Sequence, residues 1–296
     1  MKIDVVFSGG GVKSFAFLGA LRSMEANNLD IERVAGTSAG AILAGLLAAN
    51  YSRSEVENII TQLNLQDFTD PPIVSKLIPL SKWFYLYYKM GIYKGELLEK
   101  WIFNHLAAKN IYTFSDLRSG YLRIVVSDLS LGKLIVIPDD LERVYGIDPM
   151  HFSVASAIRM SAGYPYLFIP KKLANKTAKR SIMVDGGLLS NYPLWIFDKQ
   201  NGKNLRPVLG IKLSDDVETK DPNKIKNVFD MSQALFTTMK QAHDLRYIST
   251  AHQKNTIFIP IKQVGATNFT ISENVKSNLI ALGEKSTHEF LANWPN

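Results

Sequence analysis

The chain has 296 residues, a mass of 33.1 kDa, a formal net charge of +7 and no cysteine. The missing thiols exclude disulfides, thiol catalysis and cysteine-ligated metals. The longest apolar stretch, Ala39 to Ala49, is far short of the ~20 residues a spanning helix needs.

The basic residues are scattered apart from a cluster over 171–180, and no nucleic-acid motif accompanies them. No nucleic-acid partner is therefore expected, whereas a moderately basic surface is compatible with anionic lipid. Met1 leads straight into a strand without the regions of a signal peptide. The expectation is a cytoplasmic protein with peripheral membrane contact at most. Without repeats, low-complexity tracts or linkers, residues 1–296 read as one domain. Its chemical motifs lie within about 3–213, and helices from about 222 to 296 pack on the same core.

In chain order, Ile3 to Phe7 reads as a buried strand closed by Ser8-Gly9-Gly10-Gly11. Ser14 to Asn27 has helical spacing, with Phe15, Leu18, Leu21 and Met24 on one stripe. A strand from Ile31 to Ala35 leads into Gly36-Thr37-Ser38-Ala39-Gly40 and a helix through Ala49. Ser52 and Glu55 have capping-box spacing for a helix through Leu63. This alternation predicts a parallel sheet with right-handed crossovers.

The rhythm breaks over 68–93, which holds Pro71, Pro72, Pro79 and Trp83-Phe84-Tyr85-Leu86-Tyr87-Tyr88. The bland reading is rings packed over the core; the sharper one is a lid or membrane-contacting surface. Helix is predicted again from Gly95 to Lys109, and strands over Tyr121 to Ser127 and Lys133 to Ile137. Another helix runs from Ser153 to Met160, and a short strand, Ile182 to Val184, ends at Asp185-Gly186-Gly187. Strands at Val208 to Leu213 and Thr256 to Pro260 flank a helix carrying Val228, Met231, Leu235, Met239, Ala242 and Leu245. That stripe reads as core. A last helix spans about Ser272 to Leu291.

Three motifs carry chemistry. In Gly36 to Gly40 a serine sits at the apex of a strand–turn–helix, exposed over a helix N-terminus and suited to attack a carbonyl. Gly9, Gly10 and Gly11 open the first helix, so their amides can face a developing oxyanion. The same loop describes phosphate binding, but Ser14 breaks the dinucleotide spacing and Lys13 lacks the preceding glycine of a P-loop. Asp185, at a strand end and thus expected at the carboxyl edge of the sheet, is a candidate base. An ordinary aspartate titrates near ~3.9, so burial would have to raise it. A Ser-His-Asp triad is the competing design, yet none of His105, His151, His243, His252 and His288 sits in a loop signature.

Taken in this order, Gly9-Gly10-Gly11-Val12-Lys13, Gly36-Thr37-Ser38-Ala39-Gly40 and Asp185-Gly186-Gly187 resemble the patatin-like phospholipase family. Ser161-Ala162, Pro165, Phe168, Pro170, Asn191 and Pro193 extend the resemblance, which is to stand-alone bacterial members. It implies a three-layer α/β/α fold with a mostly parallel central sheet. It also implies a Ser38 nucleophile, an Asp185 base and an oxyanion hole at Gly9, Gly10 and Gly11. Lys13, Gly36, Gly40, Gly186 and Gly187 would support them. The expected activity is hydrolysis of fatty-acyl esters of phospholipids or related lipids, through an acyl-enzyme and without metal or cofactor. Acyl transfer or thioester cleavage by the same dyad, and non-catalytic lipid or nucleotide binding, are the alternatives. Ser14 departs from the family pattern, where glycine usually follows the basic residue; here it is read as a helix-capping residue.

Overall fold

The computed structural model describes residues 1–71, 86–174, 180–197, 206–215, 225–247, 253–261 and 271–294. The aromatic residues Trp83, Phe84 and Tyr85, the prolines Pro72 and Pro79, and part of the basic cluster over 171–180 lie outside that set.

The architecture is mixed α/β around a central, mostly parallel sheet. The strands are β1 (Lys2–Phe7), β2 (Asp30–Thr37), β4 (Leu122–Asp128), β5 (Lys133–Ile137), β7 (Lys171–Ala174), β8 (Arg180–Asp185), β9 (Val208–Asp215) and β10 (Thr256–Ile261). Their order is β10-β9-β1-β2-β4-β8-β7, with β5 also on β4. From β10 through β4 every neighbour is parallel. The pairs β4–β5, β4–β8 and β7–β8 are antiparallel. A small separate sheet joins β3 (Gly91–Tyr93) to β6 (Tyr166–Phe168); neither stands out from the sequence, because three-residue strands are too short to show a period.

Strand β1 is buried from Ile3 to Phe7, as a parallel strand covered on both faces should be. Ile3, Val5 and Phe7 join the large core with α1 (Ala16–Ala26), α2 (Ala39–Ala48), α5 (Val154–Ser161) and α7 (Glu273–Leu291). Val6 and Ala35 face the opposite side, beneath Tyr192, Leu194 and Phe197. The predicted helix from Ser14 begins as a 3-10 turn, Gly11–Phe15, before α1.

Helix starts follow their side chains. Ser52 and Glu55 form the reciprocal box that opens α3 (Arg53–Thr61). Asp70 accepts the amides of Gly95, Glu96 and Leu97 at 2.7, 2.7 and 3.1 Å, a carboxylate on the N-terminus of α4 (Glu96–Ala107).

One expectation fails on α6 (Val228–Tyr247). Phe236 is buried, but Met231, Leu235 and Met239 are 48%, 56% and 48% exposed, so that stripe faces solvent rather than core. Val228, Ala242 and Leu245 have side chains outside the described set. A four-residue apolar spacing reveals a stripe but not whether tertiary neighbours cover it.

Helices α1 and α7 pack along each other with almost no separation. A Cβ built on Gly283 would lie 1.8 Å from the Ala16 carbonyl oxygen, and backbone there cannot yield as a side chain would. In an isolated helix Gly283→Ala should gain ~1 kcal/mol from propensity. Here it should instead destabilise by ~1–3 kcal/mol, because the two helices must separate; urea unfolding should show the lowered midpoint.

Candidate active site

Two strand ends meet on one side of β4. Strand β2 runs parallel to β4 as far as Thr37 opposite Val125. Strand β8 comes from the other direction and ends with Asp185 opposite Val126. Strand β5 occupies the far side of β4 over the same residues. The chain positions that follow Thr37 and terminate β8 are therefore adjacent, although 147 residues separate them in sequence. Asp185 lies beside Ser38 at the carboxyl end of β2, the sheet edge its sequence position suggested, but its strand is not a parallel neighbour. It approaches head-on from an antiparallel strand.

Ser38 sits at the apex of the turn from β2 to α2 with φ 55° and ψ −123°, a conformation L-residues avoid. Tight packing holds it there. A Cβ on Gly40 would lie 2.6 Å from the carbonyl oxygens of Phe7 and Ser8, and one on Gly36 would lie 2.3 Å from the Gly40 oxygen. No larger residue fits either flank. The Ser38 amide donates to Ser161 Oγ at 2.9 Å, and Ser161 Oγ donates to the Val125 oxygen at 2.6 Å. Thr37 Oγ1 donates to the Ser190 oxygen at 3.1 Å.

The Ser38 hydroxyl donates to Asp185 Oδ2 at 2.6 Å, and Gly187 N–H donates to Asp185 Oδ1 at 2.8 Å. Gly186 follows the carboxylate and opens a 3-10 turn, Gly186–Leu188. Burial pushes the Asp185 carboxyl up to about 6, against the opposing effects of the Ser38 and Gly187 hydrogen bonds and the charge of Lys240. Lys240 and Phe236 are four residues apart on α6, and Phe236 packs on Tyr164 with ring centroids 4.6 Å apart. Neither residue is conspicuous in the sequence, since only the packing of α6 brings them to the site. Arg159, buried two residues before Ser161, donates to the oxygens of Gly95, Lys94 and Ile169 at 2.9, 3.0 and 3.1 Å. It ties the start of α4 and the end of β6 to the helix that carries Ser161.

The glycine loop borders the serine; a Cβ on Gly9 would lie 3.2 Å from Ser38 Cβ. Its amides divide in two. Gly9 N–H donates to the Asn191 oxygen at 2.9 Å, so it is withdrawn from the expected donor trio. Gly10 and Gly11 N–H have no backbone acceptor among the described residues, as befits the start of a helical turn. Lys13 lies within that turn, its amide bonded to the Gly10 oxygen at 3.2 Å.

The described histidines are occupied elsewhere. His105 packs edge-on to Trp101 at 4.5 Å, and His151 contacts Asp148 at 2.6 Å. His288 lies on α7. His252 and the His243 side chain fall outside the described set. Among the described residues, no cluster of three or more potential metal ligands occurs, and no helix is long and apolar enough to cross a membrane.

A carboxyl with a raised pKa makes stability depend on pH. Between the unfolded and folded values the folded state holds the extra proton, so stability falls as pH rises from about 4 through about 6. Asp185→Asn removes the buried charge while retaining its shape. It should raise stability by ~1–3 kcal/mol at pH 8 and little at pH 4; unfolding midpoints at the two pH values check this.

The sequence model of the family described as Patatin-like phospholipase matches residues 5–198. The Bacillus subtilis protein YqhO, itself uncharacterized, is 43% identical over 294 residues, covering 99% of each chain. The mimivirus protein R571 is 26% identical, covering 97% of this chain and 92% of its own. Among solved structures, VipD from Legionella pneumophila aligns with a TM-score of 0.57 and 17% identity, over 98% of this chain and 67% of its own. The type III effector ExoU aligns with a TM-score of 0.53 and 16% identity, over 99% of this chain but 53% of its own. The chain thus spans about half of ExoU, and likeness at these identities concerns the fold. The family match covers most of the chain and all three glycine-bearing motifs: this protein belongs to the patatin-like phospholipase family.

Proposed function

We propose that the protein is a serine acyl hydrolase that cleaves fatty-acyl esters of phospholipids or related lipids through a Ser38–Asp185 dyad. The observation that carries this reading is the 2.6 Å hydrogen bond from a backbone-strained serine to a buried carboxylate. Family membership supports a lipid substrate.

In this reading the Ser38 oxygen attacks the ester carbonyl while its proton passes to Asp185 Oδ2. A carboxyl near 6 is ionised at neutral pH yet basic enough to accept that proton. Gly10 and Gly11 N–H, beside the N-terminus of the 3-10 turn, donate to the developing oxyanion. Loss of one such donor typically costs ~10²–10³ in rate. Collapse re-forms the carbonyl and breaks the bond from its carbon to the ester oxygen, and Asp185 gives the proton to that leaving alcohol oxygen. Water, deprotonated by the same carboxylate, then attacks the acyl-serine; the bond from the acyl carbon to Ser38 Oγ breaks, Asp185 returns the proton to Oγ, and the fatty acid is released. The buried Asp185 thus serves in both half-reactions.

A fluorophosphonate should label Ser38 and no other serine. Ser38→Ala should reduce ester hydrolysis to near background, and Asp185→Asn should cost ~10³–10⁴-fold in kcat. Activity surviving intact in either variant sinks the dyad. The rate should rise with pH on an acid limb with a midpoint near 6, where Asp185 loses its proton. A pH profile of kcat/KM on a soluble ester measures it.

A further inference from the structure

One short turn grips the main chain of both Ser38 and Asp185. At the last residue of α5, Ser161 Oγ accepts the Ser38 amide at 2.9 Å. Two residues on, the Gly163 carbonyl oxygen accepts the Asp185 amide at 3.0 Å. The same turn is tied to the strand between them. Ser161 Oγ donates at 2.6 Å to the oxygen of Val125, which pairs with Thr37 and precedes Val126, the partner of Asp185.

The bonding of Ser161 is not what its place in a helix provides. A helical serine commonly bonds the carbonyl one turn back on its own helix. This one is fully buried, and both of its bonds go to other elements. Its one proton is committed to β4, which leaves an oxygen lone pair facing the Ser38 amide. That amide belongs to the N-cap of α2 and lies outside the helical ladder. The turn has little room to shift. A Cβ on Gly163 would lie 2.9 Å from the Met160 oxygen and 3.2 Å from Arg159 Nη1. Arg159 in turn fastens the helix end to Lys94, Gly95 and Ile169.

We propose that Ser161 is a positioning residue for ester hydrolysis: its hydroxyl holds Ser38 in the strained conformation from which the nucleophile reaches Asp185. Fully buried, Ser161 touches no substrate and acts through Ser38 alone. The role rests on the dyad reading. Without Ser161 Oγ the Ser38 amide loses its side-chain acceptor, and a backbone conformation that is costly to hold loses a restraint. The Ser38 hydroxyl then leaves Asp185, whose carboxyl loses a hydrogen bond that lowers its pKa. A residue that only stabilised the fold would not move that titration.

Ser161→Ala tests this on soluble 4-nitrophenyl butyrate. Its kcat should fall ~10–10²-fold with little change in KM. The acid limb of its kcat/KM profile should move to higher pH than in the wild type. Met24→Ala opens a cavity in the last turn of α1, the end far from the glycine loop. It should lower the unfolding midpoint yet keep the wild-type kcat and acid limb, which separates lost stability from lost positioning. If Ser161→Ala does not fold, Ser161→Cys replaces it, because a thiol fills the site but accepts poorly; the same two changes are expected. Unchanged kcat, a fall in kcat with the acid limb unmoved, or the same limb shift in Met24→Ala overturns the proposal. Hydrolysis surviving in Ser38→Ala defeats the dyad and this role with it. An inactive Ser38→Ala beside an unaltered Ser161→Ala defeats the positioning role alone.

Discussion

The meeting of two strand ends along β4 is the constraint on which the rest depends. Thr37 and Asp185 occupy successive positions beside Val125 and Val126, one reached by a parallel strand and the other by an antiparallel strand. Ladder hydrogen bonds fix that register, and both neighbouring strands are buried. The spacing between serine and carboxylate is therefore set by the sheet rather than by a flexible loop. That rigidity suits the proposed Ser38–Asp185 pair, whose carboxylate also meets the Gly187 amide and the charge of Lys240.

The site departs from local preference in two ways, and the surrounding packing sustains both. Ser38 adopts a backbone conformation that costs on the order of 1–3 kcal/mol. It is held by close backbone approaches at Gly36 and Gly40 and by the amide bond to Ser161. Asp185 is a buried carboxylate whose compensation comes from Ser38, Gly187 and Lys240. That compensation is incomplete, as the upward shift shows. An aspartate with stronger partners would be more stable and a weaker base, so in the proposed mechanism the shortfall in stability is part of the chemical capacity of the site.

Much of the local structure was legible because its causes are local. Lys133–Ile137 is a strand of β-branched and apolar residues with the predicted bounds, and the Ser52–Glu55 box opens its helix as the spacing required. Other readings depended on partners distant in the chain. Nothing near Gly9 announces that its amide meets the Asn191 oxygen, which narrows the available loop donors to Gly10 and Gly11. The outward stripe of α6 was misread as core for the same reason: periodicity reports one face of a helix, while burial is decided by what packs against it.

By itself the sequence determined the three motifs, their order, the strand–turn–helix at Ser38 and the family to which they point. Those follow from glycine placement and hydrophobic period, which act over a few residues. The tertiary structure alone decided that β8 runs antiparallel, that Ser38 and Asp185 touch, and that Lys240 and Phe236 join them from α6. Each is a contact across a long stretch of chain, set by sheet register and helix docking. No local pattern of residues encodes that geometry.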